Sequence, residues 1–322
     1  MRHTFRSLLA IGTLSLVAQA ASAQSYPTRP VKIVVPFGPG GFTDVVARIL
    51  GQKLTTAMGQ SFIIENKPGA GSSIGTDNVA KSPADGYTLL MVSTTHVISP
   101  WLYKSLPYDA VKSFTAISKL SESPYVLVVN NKLDVKSVKD FVALSKSQPG
   151  KIHFASSGNG SSQHLIGGLF NTMTGAGLTH VPYRSSSLAS QDVLSGVVES
   201  TFAGVPNALT AIQSGRAHAL AVTSAKRIPQ LPDVPTMQEA GVAGYDASIW
   251  LALLAPAGTP KEIVARLNAV IAKVMVAPDA RKAFYDNGVQ VSLSTPEGMN
   301  ELMVQERERW GKIVKAAGIE VD

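Results

Sequence analysis

Two turns rich in glycine and hydroxyl carry the clearest chemistry of this sequence: 36-PFGPGGFTD-44 and 156-SSGNGSSQH-164. Each follows a short apolar run, Val31–Val35 and Ile152–Ala155, and each leads into a stretch with apolar residues at helical spacing. Strand, glycine turn and helix together make an anion holder. Glycine lets the backbone approach closely, and the first N–H groups of the helix point at the ligand with the helix dipole behind them. Thr43 can cap the first helix, and Asp44 can pair with Arg48 at i+4. Nucleotide sites need further parts. The run 38-GPGGFT-43 lacks the last glycine of G-x-G-x-x-G, and no G-K-[ST] follows it. Two such turns on facing lobes would grip a small carboxylate without a basic side chain, each bond to the charged group being worth roughly 1.5–3 kcal/mol.

A second motif points elsewhere. The segment 71-GSSIG-75 matches the G-x-S-x-G of a nucleophile elbow, with Ser73 as the nucleophile. An elbow must follow its strand at once, and here Asn66–Ala70, with Pro68, intervenes. No HGGG-type oxyanion loop accompanies it. The histidines that follow the first 23 residues, His96, His153, His164, His180 and His218, include no H-E-x-x-H and no closely spaced pair, so the sequence offers no metal site and implies no cofactor. No catalytic residue is assigned.

The elements that must position these turns alternate strand and helix along the chain, which argues for mainly parallel sheets flanked by helices. Helices are expected over 43–58, 74–81, 137–147, 162–173, 187–195, 207–214, 261–277 and 296–317. Strands are expected over 31–35, 61–64, 87–92, 125–130, 152–155, 179–183, 197–202, 217–223 and 249–258. The chain crosses between two lobes near Tyr125 and again near Trp250, and two crossings make a hinge. Residues 24–124 with 248–322 form one lobe and residues 125–247 the other. Tyr245 and Trp250 are expected to pack at the hinge.

The 322 residues are 45% hydrophobic and 16% charged, enough for two cored domains. Residues 1–23 read as a cleaved signal peptide. Arg2, His3 and Arg6 precede the apolar run Leu8–Val17, and 21-ASA-23 supplies a small-residue cleavage site. That run is about half the roughly 20 residues a spanning helix needs. With no cysteine there is neither a disulfide nor a lipid-anchoring thiol. Without Arg2 and Arg6, 27 basic residues face 22 acidic ones, leaving +5. The basic residues are scattered rather than interleaved with aromatics, which excludes nucleic acid as the partner. A mild positive field suits an anionic ligand.

The ordered set VVPFGPGGFTD, ENKPGAG, PADGYTLL, LPYD, SSGNGSSQH, HVPY, DVPTMQEAG and APAGTP, running from about Tyr26 to the C-terminus, resembles the Bug-type periplasmic solute-binding proteins of tripartite tricarboxylate transporters. The resemblance implies a two-lobe Venus flytrap that acts as a monomer in the periplasm. It implies a small organic carboxylate held by main-chain N–H groups, hydroxyls and water, and delivery to a two-subunit membrane permease. The contacts it implies are Phe37, Gly40, Gly41 and Thr43 from the first turn, Gly71 and Ser72 from the second, and Ser157, Gly158, Gly160 and Ser161 from lobe 2. Thr94 and Asn207 join them from strand ends. Two departures stand out: Ser185 where the family often has glycine, and Ser72 closing its GAGG run. A ligand-presenting sensor for a histidine kinase and a secreted serine esterase on Ser73 are the alternatives. No Arg or Lys is evident in these turns, so the partner of the ligand's distal group is left open.

Overall fold

The computed structural model describes residues 26–286 and 288–317. The expected signal peptide lies outside them. The chain begins with β1 (Val31–Val35), α1 (Phe42–Met58), β2 (Phe62–Asn66), α2 (Ser73–Ala80), β3 (Thr88–Ser93) and α3 (Thr95–Leu102). A long strand, β4 (Phe114–Asn130), leads to α4 (Val138–Ser147), β5 (His153–Ser156), α5 (Ser162–Thr174), β6 (Thr179–Pro182) and α6 (Ser186–Ser195). Then come β7 (Ser200–Gly204), α7 (Val205–Gln213), β8 (Ala217–Val222) and β9 (Ser248–Pro256). The chain closes with α8 (Lys261–Met275), α9 (Pro278–Asp286), β10 (Gln290–Val291) and α10 (Pro296–Ala317).

The strands run in the order β2-β1-β3-β9-β4-β7-β5-β6, with β8 and β10 also on β4. The expectation of mainly parallel sheets holds at the two flanks, where β1 pairs with β2 and β3, and β5 with β6 and β7. The spine is antiparallel. Strand β4 pairs β9 through Pro124 and switches to β7 and β8 from Tyr125 onward. The reason is topological: β4 leaves the first half of the molecule and β9 returns to it, so two adjacent crossing strands must run in opposite directions. Thr223 clamps the crossing, taking the Tyr125 N–H on its hydroxyl and giving that hydroxyl's proton to the Ala247 carbonyl.

Local packing follows from sequence spacing. Ile33, Val34 and Val35 are fully buried, as strands covered on both faces require. Val46, Leu50 and Leu54 form the stripe by which α1 buries itself, each contributing roughly 1.5–3 kcal/mol over exposure. Gly51 belongs to that stripe because a Cβ there would press on Ile64. Tyr245 and Trp250 are buried in the core, and the Tyr245 hydroxyl donates to the Ile166 carbonyl. Helix α10 packs on α3 and β4 and also reaches α5, so it braces both halves.

Candidate functional site

A cavity of about 630 Å³ opens between the carboxyl ends of the two strand sets. Its walls come from both halves. The first is the turn between β1 and α1. Gly40 donates its N–H to Asp44 Oδ2 at 3.0 Å, and Arg48 grips the same carboxylate through Nε and Nη2 at 2.8 and 3.0 Å. Asn66 Nδ2 completes the tie, donating to Asp44 Oδ1 and to the Phe37 carbonyl. Burial works against ionisation of Asp44, but Arg48, the Gly40 N–H and Asn66 outweigh it and hold the carboxyl below its ordinary value. The acid is thus neutralised within the loop. Phe42 and Thr43 line the cavity in the first helical turn, where backbone N–H groups have no intrahelical acceptor.

The second wall is 69-GAGS-72. Four successive residues have positive φ: Gly69 at 134°, Ala70 at 44°, Gly71 at 58° and Ser72 at 88°. Ala70 and Ser72 are the only non-glycines so strained among the described residues, and such strain collects at functional sites. Gly71 cannot be replaced quietly, because a Cβ would strike the Tyr103 hydroxyl. The same hydroxyl lies 3.3 Å from where a Gly160 Cβ would stand, so one phenol spans the turns of both halves.

The third wall is the turn between β5 and α5. Ser161 caps the helix, accepting from the His164 N–H, and Gln163 Oε1 accepts from the Ser157 N–H at 2.9 Å. Gly160 donates to His164 Nδ1, and Ser156 Oγ accepts from Gly158 while lying 2.6 Å from His180 Nε2. The His164 and His180 rings stack at 3.8 Å. Burial lowers His164 to about 4; burial, and then the neighbouring His164, lower His180 to about 3. Both are neutral at pH 7. The N–H groups of Ser162 and Gln163 remain free of intrahelical acceptors. Ser162 Oγ meets Thr95 Oγ1 at 2.9 Å, joining the halves, and also bonds the buried Tyr125 phenol.

Of the residues expected to bind, Phe37, Gly41, Thr43, Gly71, Ser72, Ser157, Gly158, Ser161 and Asn207 line the cavity. Three stand behind it. Gly40 and Gly160 spend their N–H groups on Asp44 and His164. Thr94 is fully buried and accepts the Trp250 N–H, while its neighbours Ser93 and Thr95 face the cavity. Thr94 has already left the strand, turning helically at the start of α3, and its hydroxyl is spent on the Trp250 N–H behind the cavity. The hydroxyls that depart from the family pattern, Ser72 and Ser185, are both in the wall. Tyr103, Tyr125 and Arg184 also line it and were not expected. Arg184 had a visible cue, a lone cation among hydroxyls in 183-YRSS-186.

The nucleophile-elbow alternative finds no geometry. Ser73 Oγ donates to the Ala70 carbonyl at 2.6 Å, and Ser73 is not among the cavity-lining residues. Among the described residues no cluster of three or more acids and histidines could hold a metal.

Comparison with known proteins adds to this geometry. The model of a family described as "Tripartite tricarboxylate transporter family receptor" matches residues 46–319. The chain is 38% identical over 304 residues to Protein BugT of Bordetella pertussis, covering 94% of this chain and 93% of that one. Among solved structures, R. palustris Rpa4515 with adipate superposes with a TM-score of 0.89 at 36% identity, covering 92% of this chain and all of that one. The periplasmic binding protein BugD superposes with a TM-score of 0.88 at 34% identity, again over 92% of this chain and all of that one.

Proposed function

This chain belongs to the tripartite tricarboxylate transporter receptor family of periplasmic solute-binding proteins, and from that premise we propose that it captures a small organic carboxylate between its lobes and hands it to the transporter's two membrane subunits. The observation that carries this reading is the convergence of the α1 and α5 N-termini on one cavity whose anchoring groups are neutral or internally neutralised. Helix N-termini so placed attract a carboxylate and repel cations. The lobes are residues 24–124 with 248–322, and 125–247, hinged where β4 and β9 cross. The protein works as a monomer in the periplasm, delivered there by residues 1–23. Adipate in the similar R. palustris protein supports the ligand class.

Closure needs a ligand that favours the closed form over the open one. A carboxylate touching Phe42 and Thr43 on one side and Ser162 and Gln163 on the other supplies that difference, because it meets both helix ends only when the lobes are together. The test is thermal denaturation of the purified mature protein against adipate, malate, citrate, glutamate and nicotinate. An acid at 100 times its Kd adds about 2.7 kcal/mol and raises Tm by several degrees. No shift with any acid, and no acid released on denaturation and detected by mass spectrometry, overturns the reading.

A further inference from the structure

We propose that Asn159–Gly160 is a latent self-modification site, an asparagine poised to deamidate, and that His164 holds it shut. The pair is one of two Asn-Gly steps in the sequence, the other being 287–288. A glycine after asparagine leaves the main-chain nitrogen with no side chain beside it to hinder attack. Asn159 is exposed and Gly160 buried in the turn between β5 and α5, and Asn159 is among the residues of the cavity wall. The chemistry needs only water. The Gly160 nitrogen gives up its proton and bonds to Asn159 Cγ, the Cγ–Nδ2 bond breaks, and ammonia leaves with that proton. Water then opens the cyclic imide, at Cγ to give aspartate or at the main-chain carbonyl to give isoaspartate.

Two features of the fold block the first step. The Ser161 N–H bonds to the Gly158 carbonyl, so Asn159 and Gly160 are the corners of a tight turn. Gly160 has φ 72° while Asn159 is not among the residues of positive φ, the signature of a type II turn. The first corner of that turn has ψ of about +120°, which swings the Gly160 nitrogen away from the Asn159 Cβ. Ring closure needs the two eclipsed. The second lock is His164. The Gly160 N–H donates to His164 Nδ1 at 3.1 Å. The new N–Cγ bond must replace that N–H bond in the peptide plane, so the imidazole stands in the direction of attack. Burial keeps His164 neutral, and Nδ1 stays an acceptor at pH 7. Once unlocked, the reaction puts a negative charge into the turn that faces the proposed carboxylate, and isoaspartate also lengthens its main chain by one carbon. Only this consequence rests on the carboxylate reading above.

The test is warm incubation of the purified mature protein at pH 7, with peptide mass spectrometry following the amide-to-acid mass increment at residue 159 and, as a reference in the same chain, at residue 287. Folded wild type converts residue 159 at least about tenfold more slowly than the same protein unfolded in urea. His164→Ala speeds conversion at 159 by about 3- to 10-fold, the worth of one hydrogen bond, and leaves 287 unchanged. His164→Asn, whose Oδ1 is as many bonds from the main chain as the imidazole Nδ1, keeps the slow rate. Folded wild type converting as fast as unfolded, equal acceleration of both sites in His164→Ala, or equal rates in the Ala and Asn variants overturns the assignment. Calorimetry of Asn159→Asp reads the consequence: carboxylate affinity falls about tenfold, and an unchanged affinity overturns that part. A wild type that binds no acid overturns the carboxylate reading and leaves the conversion rates standing.

Discussion

At the end of β1 the turn into α1 is tied down by a buried carboxylate, Asp44, shared among Arg48, Asn66 and the Gly40 N–H. At the end of β5 the turn into α5 is tied down by an amide, Gln163, and by two stacked imidazoles. Both devices fix glycines so that first-turn N–H groups face one cavity. On the proposed carboxylate reading, the difference is between two ways of backing anion donors: with an acid that is neutralised, or with groups that carry no charge. It also gives the two turns different pH windows. The folded-state values of His164 and His180, about 4 and about 3, lie below the ordinary 6.5. Their contribution is full above pH 6.5 and is lost as pH falls toward 4, because the unfolded chain takes up protons first. The Asp44 carboxyl is lowered from 3.8, so its contribution persists above that value and is lost only in stronger acid.

Breaking the charged anchor has the largest expected effect. Asp44→Ala orphans the Gly40 N–H and one bond of Asn66, and destabilises by about 2–3 kcal/mol. Urea denaturation at pH 7 measures it, and carboxylate affinity falls more than about tenfold as the donors lose their fixed geometry. A loss below about 0.5 kcal/mol, the low end for one hydrogen bond, would mean the glycine turn holds itself and the comparison fails on its stronger side.

Sharpening the neutral anchor takes a pH series. His180→Asn keeps a polar partner for Ser156 Oγ but removes the stacked base. Wild-type stability falls from pH 6.5 to 4, and the variant loses about 1 kcal/mol less over that span, a figure discounted because the ring is partly exposed. His96, buried in the other half and lowered to about 4 by desolvation, titrates in the same window, which is why the slope must be read as a difference between proteins. Asp44→Ala keeps the wild-type slope above pH 4. Equal slopes in wild type and His180→Asn would refute the separate windows.

Local chemistry was legible in the sequence, and long-range register was not. The glycines of both turns, the stripe Val46, Leu50 and Leu54, and crossings near Tyr125 and Trp250 follow from spacing and composition. Strand β4 was expected only from Tyr125, because 114-FTAISKLSESP-124 dilutes its apolar residues with serines that nonetheless bury, such as Ser118, Ser121 and Ser123. Helix α3 was unexpected because Pro100 interrupts a stretch opened by threonines. In the site, Thr95 replaces Thr94 because the chain turns into α3 at Thr94, whose hydroxyl takes the Trp250 N–H instead. The His164–His180 stack, 16 positions apart, forms because β5 pairs β6 with Phe154 opposite His180, a register no local pattern encodes.

The smallest effect joins the two turns directly. Ser187 Oγ, in the first turn of α6, donates to the Gly40 carbonyl at 3.0 Å, so the residue whose N–H anchors to Asp44 gives its oxygen to the other half. The bond is exposed to solvent and exists only with the halves together. Ser187→Ala should therefore lower global stability by about 0.5 kcal/mol or less. Its readout is kinetic: losing that much from the closed state alone raises the carboxylate release rate about twofold, measured by stopped-flow with the association rate unchanged. Asp44→Ala, by contrast, slows productive binding as well, since it disorders the donors before the ligand arrives. An unchanged release rate in Ser187→Ala would show that this contact is absent when ligand is held, and that closure rests on other contacts between the halves, such as Thr95 with Ser162.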